Sequence, residues 1–143
     1  MRKVLLLIAI LLTTSLFATE KIAWAKDFKS GIEQAIQENK PVLFVFSRHT
    51  CKYCVILEKT TFADPRVIKE LNKNFVSIIA YSDEGDAIPQ ELWRPATPTI
   101  WFLKPNVEPM FQPLMGAVRE DVFLQALDIV KKEFEKNKKR VKK

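Results

Sequence analysis

The sequence has few glycines, few cysteines and a single histidine, and each shortage narrows what the protein can be. There are only 3 glycines, 2 cysteines and 1 histidine among 143 residues. The scarcity of glycine and the lack of any low-complexity stretch argue against a disordered chain. A structural zinc site uses four ligands, which the cysteines and the histidine together cannot supply. We therefore predict no metal ion and no bound cofactor. The length of the chain fits one domain behind an export signal.

The first residues have the pattern of a secretory signal peptide. Arg2 and Lys3 form a short basic segment, residues 4–12 are an unbroken apolar run, and a cleavage region follows that ends at Ala18. The run is shorter than the roughly 20 residues that span a bilayer. We predict a cleaved signal peptide at 1–18 and a periplasmic location, with a retained N-terminal anchor as the alternative.

The positive charge is concentrated at the C-terminus. The formal net charge is +6, and residues 131–143 contain eight basic and two acidic side chains, so the preceding body is slightly acidic. A basic tail of this kind can contact nucleic acid or anionic lipid. No aromatic residue is interleaved between positions 136 and 143, which disfavours nucleic-acid binding. We predict a domain over 19–135, a solvated basic tail over 136–143, and no nucleic-acid partner.

Alternating helical and strand patterns predict an α/β fold, with a central mixed β-sheet flanked by helices. Asp27 should cap a first helix, and Asp64 followed by Pro65 should begin a later one. Continuous apolar runs predict strands at 41–47, 75–81 and 98–103, with a hairpin partner near Met110 and Phe111. The apolar faces predicted for the first and last helices consist of Phe28, Ile32, Ala35 and Ile36, and of Val122, Ala126, Ile129, Val130 and Phe134.

The pair Cys51 and Cys54 lies directly after the first predicted strand and opens a helix. Unpaired N–H groups at a helix N-terminus stabilise a thiolate, so Cys51 should have a lowered pKa and act as the exposed nucleophile. Cys54 is one turn further on and should resolve the mixed disulfide. A haem attachment site would need a histidine where Val55 stands. An inert disulfide across so short a loop would add little stability, and redox chemistry is the favoured interpretation.

Two charged or titratable neighbours are candidates for tuning the thiolate. Lys52 adds positive charge next to Cys51, and His49 stands two residues before it. His49 could tune the thiolate or move a proton, or it could be a loop histidine without a role. Pro98 opens a strand after Thr97, and its peptide bond could be cis or trans.

With these features the chain resembles the thioredoxin superfamily over roughly residues 24–135. The resemblance rests on the strand at 41–47, the Cys-Lys-Tyr-Cys motif, the Thr97-Pro98-Thr99 element and the ending of Gly116 plus a helix. It implies that Pro98 is cis and packs beside the sulfurs, and that Thr97 offers backbone hydrogen bonds to a bound partner chain. Residues 58–67 look like the segment after the active site in the C-terminal domain of DsbD-type periplasmic thiol:disulfide interchange proteins.

The chain departs from that family at several positions. Val45 stands where thioredoxins often carry a buried acid, and Thr50 stands where a tryptophan usually precedes the first cysteine. The proton of the second cysteine would then pass to water, Lys52 or Glu58.

The resemblance implies an exported thiol–disulfide oxidoreductase whose only redox group is the Cys51–Cys54 pair. Its expected partners are exported cysteine-containing proteins and a membrane thiol electron donor, and we expect a monomer acting as a reductant or relay. The alternative is a binding or chaperone module in which the cysteines are secondary, with Trp93, Trp101 and the apolar loop 110–115 forming a peptide-binding surface.

Overall fold

The computed structural model describes residues 20–141. The predicted signal peptide at 1–18 and the last two lysines lie outside the described residues. Within the described part, no helix is both long enough and apolar enough to cross a membrane.

Residues 20–141 form four helices and four strands. The elements are α1 (Phe28–Glu38), β1 (Val42–Ser47), α2 (Lys52–Lys59), α3 (Pro65–Asn74), β2 (Val76–Tyr81), β3 (Thr99–Leu103), β4 (Leu114–Met115) and α4 (Glu120–Val141). Short 3₁₀ turns occupy Thr61–Ala63 and Gln90–Leu92. The two predicted caps are confirmed, because the Asp27 side chain accepts from the Ser30 N–H and the Asp64 side chain accepts from the Arg66 N–H.

The sheet is mixed, with strand order β2-β1-β3-β4. β1 runs parallel to β2 and antiparallel to β3, and β3 runs antiparallel to β4. All residues of β1 are buried, as expected for the central strand of a sheet that is covered on both faces. The predicted α/β fold, a mixed sheet flanked by helices, is confirmed.

Side chains of β1 alternate between two apolar cores. Leu43 and Val45 pack in the core formed with α2, α3 and α4, and Phe44 packs in the core beneath α1. α1 approaches β2 closely at Gly31, where a Cβ atom would lie 2.5 Å from the Ile78 side chain. The sheet therefore holds the end of β1, where the cysteines follow, between packed layers.

The hairpin partner predicted near Met110 and Phe111 is present as an isolated antiparallel bridge, and the regular strand β4 lies further along the chain. At that point the Met110 N–H donates to the Phe102 carbonyl at 2.9 Å, and the bridge joins Leu103 to Pro109. Prolines at 109 and 113 have no N–H to donate to a ladder. Regular pairing is confined to β4, opposite the start of β3.

Two predicted apolar faces are partly wrong. The buried stripe of α4 consists of Phe123, Leu127, Val130 and Phe134, whereas Val122 and Ile129 are 53% and 56% exposed. Ile36 in α1 is 60% exposed. Each misplaced residue lies one position from a buried one, which rotates its side chain by about 100° around the helix. α4 continues without a break across the predicted boundary between residues 135 and 136.

Candidate active site: a dithiol at a helix N-terminus

A tight turn delivers Cys51 from the end of β1 to the start of α2. The Cys51 N–H donates to the Arg48 carbonyl oxygen at 3.2 Å, which closes the turn over residues 48–51. Cys51 is the N-cap residue of α2, and its Sγ accepts from the Cys54 N–H at 3.2 Å. The sulfur thus takes the place that a serine or aspartate oxygen usually holds at a helix start.

The two cysteines are both in the thiol form, but their surroundings differ. Cys51 is partly exposed, whereas Cys54 is fully buried. Partial burial raises the pKa of Cys51, but the Cys54 and Thr97 side chains and the backbone amides of Cys54 and Tyr53 interact with its sulfur and bring the pKa below its ordinary value. Burial raises the pKa of Cys54, as does its hydrogen bond to Cys51, and Ser47 and Thr97 offset this only in part. The arrangement suits an attacking first thiol and a shielded second thiol.

The Thr97–Pro98 element lies against the first cysteine. The Thr97–Pro98 peptide bond is cis, in agreement with the resemblance. The Cys51 S–H donates to the Thr97 carbonyl oxygen at 3.3 Å, and the Pro98 carbonyl accepts from the Gly116 N–H at 3.0 Å. Thr97 therefore lies directly against the Cys51 sulfur.

A chain of hydrogen bonds lies behind the second cysteine. Glu58 Oε1 accepts from the Ser47 hydroxyl at 3.1 Å and from the Tyr81 hydroxyl at 3.3 Å. Ser47 is buried and is close enough to Cys54 to affect its pKa. Glu58 is one helical turn after Cys54, which puts both side chains on one face of α2. Of the proton acceptors predicted for Cys54, Glu58 is the one that takes part in this series of hydrogen bonds.

Ser47 and Tyr81 are site residues that sequence reasoning missed. They are paired in register as the last residues of the parallel strands β1 and β2, and ligands and catalytic groups gather at the carboxyl ends of parallel strands. Ser47 is also the one polar residue in an otherwise apolar strand. Those two signals together could have found the pair.

Burial and nearby charge act on Tyr81. Burial, and after it the charge of Glu58 and the hydrogen bond to Glu58, raise the pKa of Tyr81 to about 12. The phenol therefore stays protonated and remains a donor to Glu58 across the ordinary range of pH.

His49 and Lys52 occupy different surroundings from the sulfurs. His49 Nε2 lies 2.6 Å from Glu84 Oε1, and the imidazole stacks on the Tyr81 ring with centroids 3.8 Å apart. Among residues 20–141 neither His49 nor Lys52 forms a hydrogen bond with a cysteine side chain. Lys52 is exposed in the first turn of α2. The site thus brings together Cys51, Cys54 and Thr97, with His49 turned toward the loop after β2.

The aromatic residues considered for a peptide-binding surface do not share one environment. Trp101 is buried, and its indole N–H donates to the Leu92 carbonyl at 3.0 Å. Trp93 and Met115 are 52% and 56% exposed. Trp101 is therefore a core residue and cannot belong to such a surface.

The described residues contain no group of three or more histidine, cysteine or acidic side chains that could hold a metal ion. A surface cavity of about 340 Å³ lies beside the site and is lined by Glu58, Tyr81 and the apolar residues Trp24, Phe62 and Ile79, among others. Glu58 thus faces both the hydrogen-bond chain behind Cys54 and a space that solvent can enter.

The fold and the site together define a thioredoxin-fold protein with a dithiol at a helix N-terminus. The family model of the thioredoxin-like domain matches residues 28–131, and the chain belongs to that family. Its relatives support thiol–disulfide oxidoreductase chemistry in general terms.

Two solved structures agree in fold with this chain. A thioredoxin from Thermus thermophilus has 26% identity and a TM-score of 0.65, with 77% of this chain and 87% of that chain covered. The C-terminal domain of Neisseria meningitidis DsbD has 23% identity and a TM-score of 0.57, with 70% and 90% covered. At that identity the likeness shows the fold alone. Spermatogenesis-associated protein 20 of Rattus norvegicus is 24% identical over 103 residues, which are 69% of this chain but only 13% of that protein.

Proposed function

We propose that the protein is an exported thiol–disulfide oxidoreductase that exchanges disulfides with cysteine-containing proteins in the periplasm. The observation that carries the proposal is the contrast between the two cysteines. Cys51 is accessible with a lowered pKa, and Cys54 is buried with a raised pKa. A pair built for stability alone has no need of that contrast.

In the first step the Cys51 thiolate attacks one sulfur of a partner's disulfide. The partner's S–S bond breaks, a new S–S bond joins Cys51 to the attacked sulfur, and the other partner sulfur leaves as a thiolate that takes a proton from water. The first-turn amides that bind Cys51 Sγ stabilise the attacking thiolate. The Thr97 carbonyl, which holds the Cys51 thiol at rest, is released as the thiolate forms.

In the second step Cys54 attacks the Cys51 sulfur and releases the partner's second thiol. Cys54 must first lose its proton, which its burial makes unfavourable. The Ser47 hydroxyl donates to Glu58, so its oxygen can accept the Cys54 proton while its own proton moves to the carboxylate. The net reaction converts a partner disulfide and this dithiol into a partner dithiol and a Cys51–Cys54 disulfide.

We further propose that the protein works as a reductant or relay, kept reduced by a membrane thiol donor. Cys54 is buried, which raises its pKa and disfavours its thiolate. Strong oxidants owe their strength to a very stable reduced form. The balance predicts a potential nearer that of thioredoxin, about −270 mV, than that of DsbA-type oxidants, about −120 mV.

Redox equilibration of the Cys51–Cys54 couple with glutathione tests the direction. A potential more positive than about −150 mV would make the protein an oxidant. Turnover of a reducible disulfide substrate by the wild type, with Cys51→Ser as the matched inactive variant, tests the activity itself.

A binding or chaperone module remains the second candidate function, since Tyr53, Trp93 and Met115 are exposed apolar side chains. In that case Cys51→Ser would suppress aggregation of an unfolded client as well as the wild type does, and neither would reduce the disulfide substrate. The expected monomeric state can be read in the same samples by light scattering.

A further inference from the structure

The turn that carries Cys51 is held from outside by the acidic loop, residues 82–86, which follows β2. The His49 N–H donates to both carboxylate oxygens of Asp83, at 2.9 and 3.2 Å. The His49 ring nitrogen Nε2 lies 2.6 Å from Glu84 Oε1. The ring itself lies flat on Tyr81, at an interplanar angle of 13°. His49 is therefore contacted at its backbone and at its ring nitrogen by the acidic loop, and at its ring face by the last residue of β2.

The loop brings negative charge to the turn that carries the attacking thiol. Asp83 and Glu84 face His49 from the acidic loop, Tyr81 faces it from β2, and the charge of Glu58 reaches it from α2. The Cα atoms of residues 49 and 51 are at most about 7 Å apart, because two residues cannot span more. Asp83 also interacts with the backbone N–H of Thr50, the residue directly before Cys51, and a carboxylate on this turn opposes formation of a thiolate. A cation at position 49 offsets the effect of these carboxylates on the thiolate.

The contact with Glu84 favours the protonated form of His49, which is this cation. The hydrogen bond to Glu84 is the largest cause that raises the pKa of His49; its slight burial opposes the rise, and the charges of Asp83, Glu84 and Glu58 add to it. The imidazolium therefore persists to higher pH than in a free histidine, and its charge is lost as the pH rises through the raised value. The salt bridge is exposed, at 50% and 55% for the two side chains, so salt will weaken it.

We propose that His49 is a positioning residue for the dithiol, which ties the active-site turn to the acidic loop and, when protonated, offsets the loop's carboxylates beside Cys51. The reactivity of the Cys51 thiol is thereby coupled to the protonation of His49. The biological purpose of this coupling rests on the proposed function. The coupling itself does not, because it is measured on the Cys51 thiol without a protein substrate.

The test is the rate of Cys51 alkylation by iodoacetamide, followed by peptide mass spectrometry from pH 4 to 9 at low salt. In the wild type the profile should be broader than a single ionisation, since two coupled groups titrate. His49→Gln should give a single ionisation displaced to higher pH, with a rate at pH 6 lowered by about two- to fourfold, as expected for one charge removed at 7–10 Å in a largely aqueous medium.

The double variant His49→Gln with Glu84→Gln separates charge from shape. It removes both members of the pair, so its rate at pH 6 should return toward that of the wild type. Asp128→Asn is the matched control, because it breaks another exposed ion pair, to Lys132 on α4 at 2.6 Å, and should leave the profile unchanged.

A His49→Gln rate equal to or above that of the wild type would overturn the proposal. So would a double variant that stays as slow as the single one, because that outcome assigns His49 a purely structural role. Alkylation needs no protein substrate, so failure of disulfide exchange with proteins would leave this result intact and would count against the proposed function alone.

Discussion

Replacing Glu58 by Gln should lower the pKa of Tyr81. Burial is the largest cause of the value of about 12, and the charge of Glu58 comes next. Gln keeps an oxygen that can accept from Ser47 and Tyr81 but removes the charge. The pKa of Tyr81 should therefore fall and yet stay above its ordinary value of 10, because burial is unchanged.

The size of the effect follows from the contact. The Tyr81 hydroxyl oxygen lies 3.3 Å from Glu58 Oε1, and two unit charges at that distance in water repel by about 1.3 kcal/mol. One pKa unit corresponds to about 1.4 kcal/mol. The loss of the charge should thus lower the pKa of Tyr81 by about 0.5 to 1, which fits a total rise in which burial has the larger share.

Ultraviolet titration of tyrosinate measures this directly. The chain has two tyrosines, so the titration is done in a Tyr53→Phe background where only Tyr81 absorbs, with far-ultraviolet circular dichroism to show that the fold persists at alkaline pH. Glu70→Gln is the control, since Glu70 is a half-buried carboxylate that binds Lys131 at 2.7 Å on α4. An unchanged Tyr81 titration in Glu58→Gln would mean that the charge is not felt there, and the role of Glu58 as proton acceptor would lose its basis.

Three further outcomes are expected. Alkylation at mildly acidic pH should label Cys51 before Cys54, and the reverse order by mass spectrometry would exchange their roles. Cys54→Ser should accumulate mixed disulfides with exported proteins, visible on non-reducing gels; their absence from a folded variant would contradict the exchange mechanism. Removal of residues 136–143 breaks the ion pairs of Lys136 and Lys138, the hydrogen bond from Lys138 to the Asn39 carbonyl and one cation–ring contact with Phe134. It should cost only about 1 kcal/mol of unfolding free energy, so a much larger drop in a thermal melt would show that the tail is part of the domain.

The parts of the fold that the sequence predicts are those decided by local chemistry. Aspartate before a helix and proline in its first turn act on the nearest backbone groups, so the starts of α1 and α3 could be read directly. The apolar run of β1 is long enough to cover both faces of a strand and too short for a helix of usual length. The predicted position of the cysteines, between the end of a strand and the start of a helix, followed from the apolar run of β1.

Features that depend on packing partners were predicted less accurately from the sequence. Val122 and Phe123 are both apolar, and only the position of the sheet decides that Phe123 is buried and Val122 is exposed. The strand partner of β3 depends on where two prolines interrupt pairing. In the site, Glu84 and Tyr81 reach His49 only because β1 and β2 lie side by side in parallel register, a relation that spacing along the chain does not contain.

The carboxylate in the hydrogen-bond chain behind Cys54 is Glu58 on α2, whereas position 45 on β1 is apolar. Val45 pairs with Ile79 and Ile100 on its neighbouring strands and lies in the core with Leu57, where an ionised carboxylate would find no partner and would be costly. Glu58 instead reaches the end of the sheet from α2, where Ser47 and Tyr81 both donate to it, and it also lines the cavity beside Trp24. Thr97 meets Cys51 at a separate contact. We therefore expect the proton of Cys54 to leave through the cavity, so that a partner chain seated over Thr97 does not block it.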